Sequence, residues 1–224
     1  MLDLVIFDCD GVLVDSEILS ADTLIHELKL ISIEIDRDYV RTHCLGRSFP
    51  TVAKSLAKNF DTVLPADFEQ RYRANLLARF ETELRVTDGI FDAIKATQAA
   101  GLKTCVATSS SPPRVARTLG VTGLAPFFGA NVFTASQVEH GKPAPDLFLF
   151  AAKQMGALPS RTLVIEDSLP GLEAGSAAQM HVLAYAGASH LKGLRLAQPS
   201  HVRSFDKWED FPHLLNEFSN GDHA

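Results

Sequence analysis

Short apolar runs recur along the chain, each closed by polar residues, and they set the first expectation. Leu4 to Phe7 is apolar, partly β-branched, and stops abruptly at Asp8. Such a run suits a strand buried on both faces, as in a parallel sheet covered by helices. Thr104 to Ala107, Leu163 to Ile165 and Val182 to Tyr185 have the same character, and a weaker stretch surrounds Val132 and Phe133. Helical patterns lie between them. Gly89 to Ala100 ends at Gly101, a natural helix stop, and Pro112-Pro113 lead into a helix over Arg114 to Leu119. Pro145 to Met155 ends at Gly156, and Pro170 to Ala178 follows the third strong run. Strands alternating with helices of this length predict an α/β domain built on a mostly parallel sheet.

The alternation is interrupted once. From residue 17 to about 85 the apolar positions take helical spacing, as in Leu19, Leu24, Ile25, Leu28 and in Val52, Leu56, Phe60. Four helices are expected there, inserted after the first strand as a cap. The expected division is a core of residues 1–16 and 86–224, with a helical cap over 17–85. No internal repeat or low-complexity stretch is visible, and Ser219 to Ala224 reads as a frayed tail.

Composition narrows the class. At 224 residues the chain can bury a sizeable core, and 46% hydrophobic with 21% charged residues is ordinary for a soluble globular protein. The formal net charge of -6, with no cluster of cations, argues against nucleic acid or an anionic membrane as partner. Cys9, Cys44 and Cys105 form no CxxC pair, so neither a disulfide framework nor a zinc site is expected; each reads as a small buried hydrophobe. The first apolar run is broken at Asp3 and Asp8, too short for a signal peptide or span, and the cytoplasm is the expected compartment. A monomer or weak homodimer is expected.

Chemistry enters at the strand ends, because ligands bind beyond the carboxyl ends of strands in an open parallel sheet. Three runs end in polar clusters: Asp8-Cys9-Asp10-Gly11, Thr108-Ser109-Ser110 and Glu166-Asp167-Ser168. Gly141-Lys142-Pro143 follows the weaker run. Taken singly, such clusters are commonly turns, helix caps or solvated side chains. Together they would bring four carboxylates, several hydroxyls and one ammonium to one edge. Four carboxylates repel one another unless a cation neutralises them, and magnesium, which prefers oxygen ligands, is the natural candidate. A lysine and hydroxyl donors beside it suit a phosphate dianion. One carboxylate can then attack phosphorus, and a second, two positions along, can serve as acid and base.

Asp8-Cys9-Asp10-Gly11-Val12-Leu13-Val14-Asp15-Ser16-Glu17 resembles the first signature motif of the haloacid dehalogenase superfamily. Thr108, then Lys142 in Gly141-Lys142-Pro143-Ala144-Pro145-Asp146, then Glu166-Asp167 follow in that family's order. The long helical insertion resembles the β-phosphoglucomutase-like and sugar-phosphate phosphatase branch, and the Phe80 to Leu84 stretch is similar to 6-phosphogluconate phosphatase-like proteins. The resemblance implies a Rossmann-like core and a magnesium-dependent phosphatase acting on a small phosphorylated metabolite. It implies Asp8 as nucleophile and metal ligand, and Asp10 as acid/base with its backbone carbonyl on the metal. Thr108, Ser109 and Ser110 would bind phosphate, Lys142 would hold the phosphoryl and balance Asp8, and Asp167, assisted by Glu166, would bind magnesium. Gly11 would allow the tight turn below the site. The cap loop Leu45-Gly46-Arg47-Ser48 stands where relatives contact substrate, which makes Arg47 a candidate.

Three rival readings compete with this one. Hydrolytic dehalogenases of the family need no magnesium and lack the second aspartate, so Asp10 with Glu166-Asp167 speaks against that chemistry. A mutase would carry a cap histidine near the position of Ser20. A non-catalytic module should have lost a key residue, and none is missing. Gly141-Lys142 is no nucleotide P-loop, because Pro143 stands where Ser or Thr is required. His43 and His140 are expected to be structural or solvated.

Overall fold

The structure, a computed structural model, describes residues 1–44, 47, 49–194 and 196–220, the last without its side chain. Leu45, Gly46 and Ser48 of the expected substrate loop therefore lie outside the described residues. Six strands form one parallel sheet: β1 (Leu4–Phe7), β2 (Lys103–Thr108), β3 (Val132–Thr134), β4 (Thr162–Glu166), β5 (His181–Tyr185) and β6 (Arg203–Phe205). Their order is β3-β2-β1-β4-β5-β6, so the chain builds outward from β1 in one direction and then in the other. The reversal beside β1 opens a crevice at the carboxyl ends of the central strands.

Every side chain of β1 is buried, as its unbroken apolar run requires. On one face Leu4 and Ile6 pack with Leu147, Phe148 and Ala151 of α8 (Asp146–Gln154) and Ala174 of α9 (Leu169–Ala177). On the other, Val5 and Phe7 join Ile90 and Ile94 of α5 (Ile90–Ala99), with Trp208 and Phe211 of the C-terminal segment. The helix of Pro112–Val121 is α6, the short Ala125–Phe128 is α7, and Phe211–Asn220 is α10. The three cysteines are buried and unpaired.

Between β1 and α5 lie α1 (Glu17–Lys29), α2 (Arg37–His43), α3 (Phe49–Asn59) and α4 (Phe68–Glu83), the four helices that the spacing predicts. The chain leaves and re-enters side by side: Val14 bridges Val86 antiparallel, and Asp15 N donates to Arg85 O at 2.9 Å. Thr87 locks this seam, donating to Val12 O at 2.6 Å while accepting from Trp208 Nε1 at 3.0 Å.

Among the elements that the apolar pattern does not reveal are the short α7, β6 and α10. β6 has three residues and buries only Phe205, and α10 carries Pro212 in its first turn. The tail read as frayed from Ser219 is corrected: α10 continues through Asn220, and residues 221–224 lie outside the described chain.

Candidate active site

β1 delivers Asp8 to the mouth of the crevice, buried to 6% exposure, where Asp8 N donates to Ile165 O at 3.0 Å. Lys142 reaches it from the loop after β3. Its Nζ lies 2.5 Å from Asp8 Oδ1, 2.7 Å from Glu166 Oε1 and 3.0 Å from Ala107 O. All three ammonium donors are thereby used, and the lysine holds two acids from different strands against each other. The second oxygen of Glu166 accepts from Asp167 N, Ser168 N and Ser168 Oγ, each at 2.9 Å. Glu166 is thus a bracket within the site, tied on both oxygens.

Two glycines make room for these acids. A Cβ on Gly11, whose φ is +86°, would stand 1.7 Å from Asp167 Oδ2, and one on Gly171 would stand 1.9 Å from the Glu166 carboxyl. Gly11 therefore does more than permit a turn: it lets the β1 loop pass directly beneath Asp167.

Carboxylate oxygens of Asp8, Glu166 and Asp167 all come within 4.8 Å of one another. Burial pushes Asp8 up to about 8; Lys142 opposes that rise and Glu166 adds to it. Asp167 is driven well above the usual carboxylate range by burial, then by Glu166 and Asp8. Burial works against the charge of Lys142, but Asp8 and Glu166 outweigh it and hold its pKa above that of an ordinary lysine. Three buried acids facing one ammonium leave negative charge in excess. A hard divalent cation fits this set, which is all oxygen and has no thiolate.

Asp10 is treated differently. Its Oδ1 accepts from Ser16 Oγ at 2.5 Å and Arg114 Nη2 at 2.7 Å, and its Oδ2 accepts from Ser110 Oγ at 2.5 Å. Burial alone would raise its pKa, but the Arg114 charge and these hydrogen bonds bring it below the usual value. Its carboxylate stands outside the three-acid cluster. Ser110, expected among the phosphate donors, spends its hydroxyl on Asp10, while its N–H donates to Thr108 Oγ1 at 3.1 Å.

Asp8, Asp10, Thr108, Ser109, Ser110, Lys142, Glu166 and Asp167 line a single cavity of about 420 Å³. The inserted helices contribute an apolar wall that includes Leu24, Val40, Phe49 and Val52. Arg47 lines the cavity and is exposed. His43 lies against Tyr39 with centroids 4.5 Å apart and rings tilted by 41°, and His140 pairs with Asp146 at 3.2 Å; neither lines the cavity.

Three lining residues were not singled out from the sequence. Glu17 is pushed up to about 8, first by burial and then by Asp10, Asp8 and Glu166. His190, on the loop after β5, has Nε2 3.4 Å from Asp167 Oδ2, and burial depresses it to about 4. Asp15 anchors that loop, accepting from Ser189 Oγ at 2.7 Å. Arg114 is the third. A cation in the first turn of a helix opposes the helix dipole, and that was its one sequence signal.

The sheet order defines a Rossmann-like α/β core, with an acid-lined cavity beneath a helical insertion. Residues 2–179 match the model of the haloacid dehalogenase-like hydrolases. The chain is 25% identical to 6-phosphogluconate phosphatase of Escherichia coli (strain K12), over 85% of this chain and 86% of that protein. It is 26% identical to a phosphorylated carbohydrates phosphatase of Thermotoga maritima, over 79% of this chain and 82% of that protein. A crystal structure of a HAD family hydrolase from Deinococcus radiodurans R1, with bound phosphate and sodium, superposes with a TM-score of 0.74 at 32% identity, covering 97% of this chain and 96% of that one. The chain belongs to the haloacid dehalogenase-like hydrolases, and it is an enzyme of the phosphatase kind.

Proposed function

We propose that this protein is a magnesium-dependent phosphatase that takes the phosphoryl group of a small sugar or sugar-acid phosphate onto Asp8 and then releases it to water. The observation that carries this reading is Asp8 itself, a buried carboxylate at the end of the central strand, 2.5 Å from Lys142 and clustered with Glu166 and Asp167. The residues divide the work as follows. Asp8 attacks phosphorus while Lys142 neutralises charge spreading over the phosphoryl oxygens. Thr108 and the backbone of Ser109 bind those oxygens. Asp10 gives its proton to the departing alcohol, then removes one from the water that cleaves the Asp8–phosphoryl bond. Asp8, Asp167 and the Asp10 carbonyl would hold magnesium, assisted by Glu166, and the ion supplies charge neutralisation at the transferring group.

We read residues 1–16 and 86–224 as the catalytic core and 17–85 as the cap that closes over substrate and excludes water. A sugar-acid phosphate is favoured because two relatives act on phosphorylated carbohydrates by name and because the exposed Arg47 lines the cavity. The proposed setting is a monomer or weak homodimer in the cytoplasm. Among the described residues no helix is long and apolar enough to cross a membrane.

The mutase rival is disfavoured because Ser20, near the place of the mutase histidine, accepts a hydrogen bond from Arg114 at 3.0 Å. Phosphate release from p-nitrophenyl phosphate and from a panel of sugar and sugar-acid phosphates tests the proposal. Asp8→Asn should lower turnover by at least about 1,000-fold, since loss of the nucleophile leaves only binding and electrostatic effects. Equal rates for variant and wild type would sink the assignment. Efficient isomerisation of β-glucose 1-phosphate with little phosphate release would turn it toward a mutase.

A further inference from the structure

Arg114 belongs to the core helix α6, yet its contacts run to both parts of the chain. Nη2 donates to Asp10 Oδ1 at 2.7 Å and to Ser20 Oγ of α1 at 3.0 Å. The guanidinium carbon stands 5.5 Å from the centre of the Phe80 ring of α4. Nε is buried without a hydrogen-bond partner among the described residues. Its side chain is 16% exposed, and it lines the cavity. The Asp10 carboxyl is therefore fixed from three directions: Ser16 at the start of the insertion, Ser110 after β2, and Arg114 from α6. Ser16 also holds Ser20, its carbonyl accepting from Ser20 Oγ at 3.0 Å, but of the three Arg114 is the one set over Phe80. A planar fork with fixed donor directions sets an orientation that a flexible ammonium cannot.

We propose that Arg114 is a positioning residue for the acid/base Asp10, setting its carboxyl against the leaving oxygen and tying that setting to the inserted helices through Ser20 and Phe80. The proposal rests on the reading of Asp10 as acid/base. Arg114 favours the ionised carboxyl, so Asp10 must first take up a proton from solvent; that proton then passes to the oxygen that parts from phosphorus, over a distance set by where Arg114 holds the carboxyl. The need for that proton grows with the basicity of the leaving group. Phenolate, whose conjugate acid has a pKa of about 10 as in tyrosine, needs it far more than p-nitrophenolate.

The test compares phenyl phosphate with p-nitrophenyl phosphate, measuring release of the phenol in a single turnover with magnesium present. Arg114→Ala should slow the phenyl ester about 100-fold and the nitrophenyl ester roughly tenfold or less, within the range of general acid catalysis. KM should change little, and added guanidinium chloride should restore part of the lost rate. Arg114→Lys keeps the charge and should show the same ester dependence in smaller measure, which carries the test if the alanine variant does not fold. Equal losses on both esters, or a loss confined to KM, would overturn the proposal. Asp10→Asn is the control. If it shows the ester dependence and the Arg114 variants do not, the positioning role fails while the acid/base role stands. If Asp10→Asn also slows both esters equally, the acid/base reading fails and this proposal falls with it.

Discussion

Glu17 shows how one residue can carry tension for the whole site. It opens α1, lines the cavity half-buried, and is pushed up to about 8 by its loss of water and then by Asp10, with Arg114 opposing and Asp8 and Glu166 adding to the rise. Its folded pKa lies above the ordinary 4.5, so the folded chain holds this proton more tightly than the unfolded one. The stability this represents is complete below about 4.5 and is lost as pH rises through about 8. Glu17→Gln, which cannot ionise, should therefore melt with wild type at pH 4 and above it at pH 8.5, each kcal/mol reading as about 2–4 °C in Tm. A difference that is constant across pH would show that the carboxyl is not buried as described. At this scale Asp8, Asp10, Lys142 and Glu166-Asp167 were legible, because each sits in a compact motif at the end of an apolar run. Arg114 was not, because its partner Asp10 lies 104 positions away and only the folded sheet brings them together. His190 escaped notice for the same reason.

Among the elements, α1 and α4 depend on a charge placed where their apolar stripes meet. Glu27 is fully buried, accepting from Asn75 Nδ2 at 2.5 Å and from Arg71 Nε at 3.3 Å, between Leu24 and Leu28 of its own helix and Leu76 and Phe80 of α4. Removing one partner of a buried pair strands the other, and here Arg71 is half-exposed and can regain water. Glu27→Ala should cost about 3 kcal/mol, near the lower end for such pairs, seen as a lower urea midpoint with an unchanged slope. An unchanged midpoint would mean that the α1–α4 contact is held by its leucines and Phe80 alone. The four helices were legible from apolar spacing, whereas Glu27 was hidden because a lone glutamate in a helix ordinarily reads as a solvated face. β6 was hidden because three residues with one buried side chain leave no period to detect.

Across the whole molecule the same imbalance recurs: a chain of net charge -6 gathers three buried acids in one cavity, with one lysine paired to two of them. Folding assembles this repulsion, and a divalent cation would relieve it only in the folded state, where β1 and β4 have been brought side by side. Binding to the folded form alone must raise stability by mass action, about 2.7 kcal/mol at a hundredfold excess over Kd. Magnesium should therefore raise Tm by roughly 5–10 °C, and EDTA should reverse the shift and abolish turnover together. Asp167→Asn separates the cause from a general salt effect. Losing one of three like charges should make the metal-free variant melt above metal-free wild type at pH 8, and its response to magnesium should be nearly flat. If instead it responds to magnesium as fully as wild type, the cation binds elsewhere and the acid cluster is not its site. If sodium chloride at equal ionic strength reproduces the whole shift, the stabilisation is screening of the surface charge rather than occupation of a site.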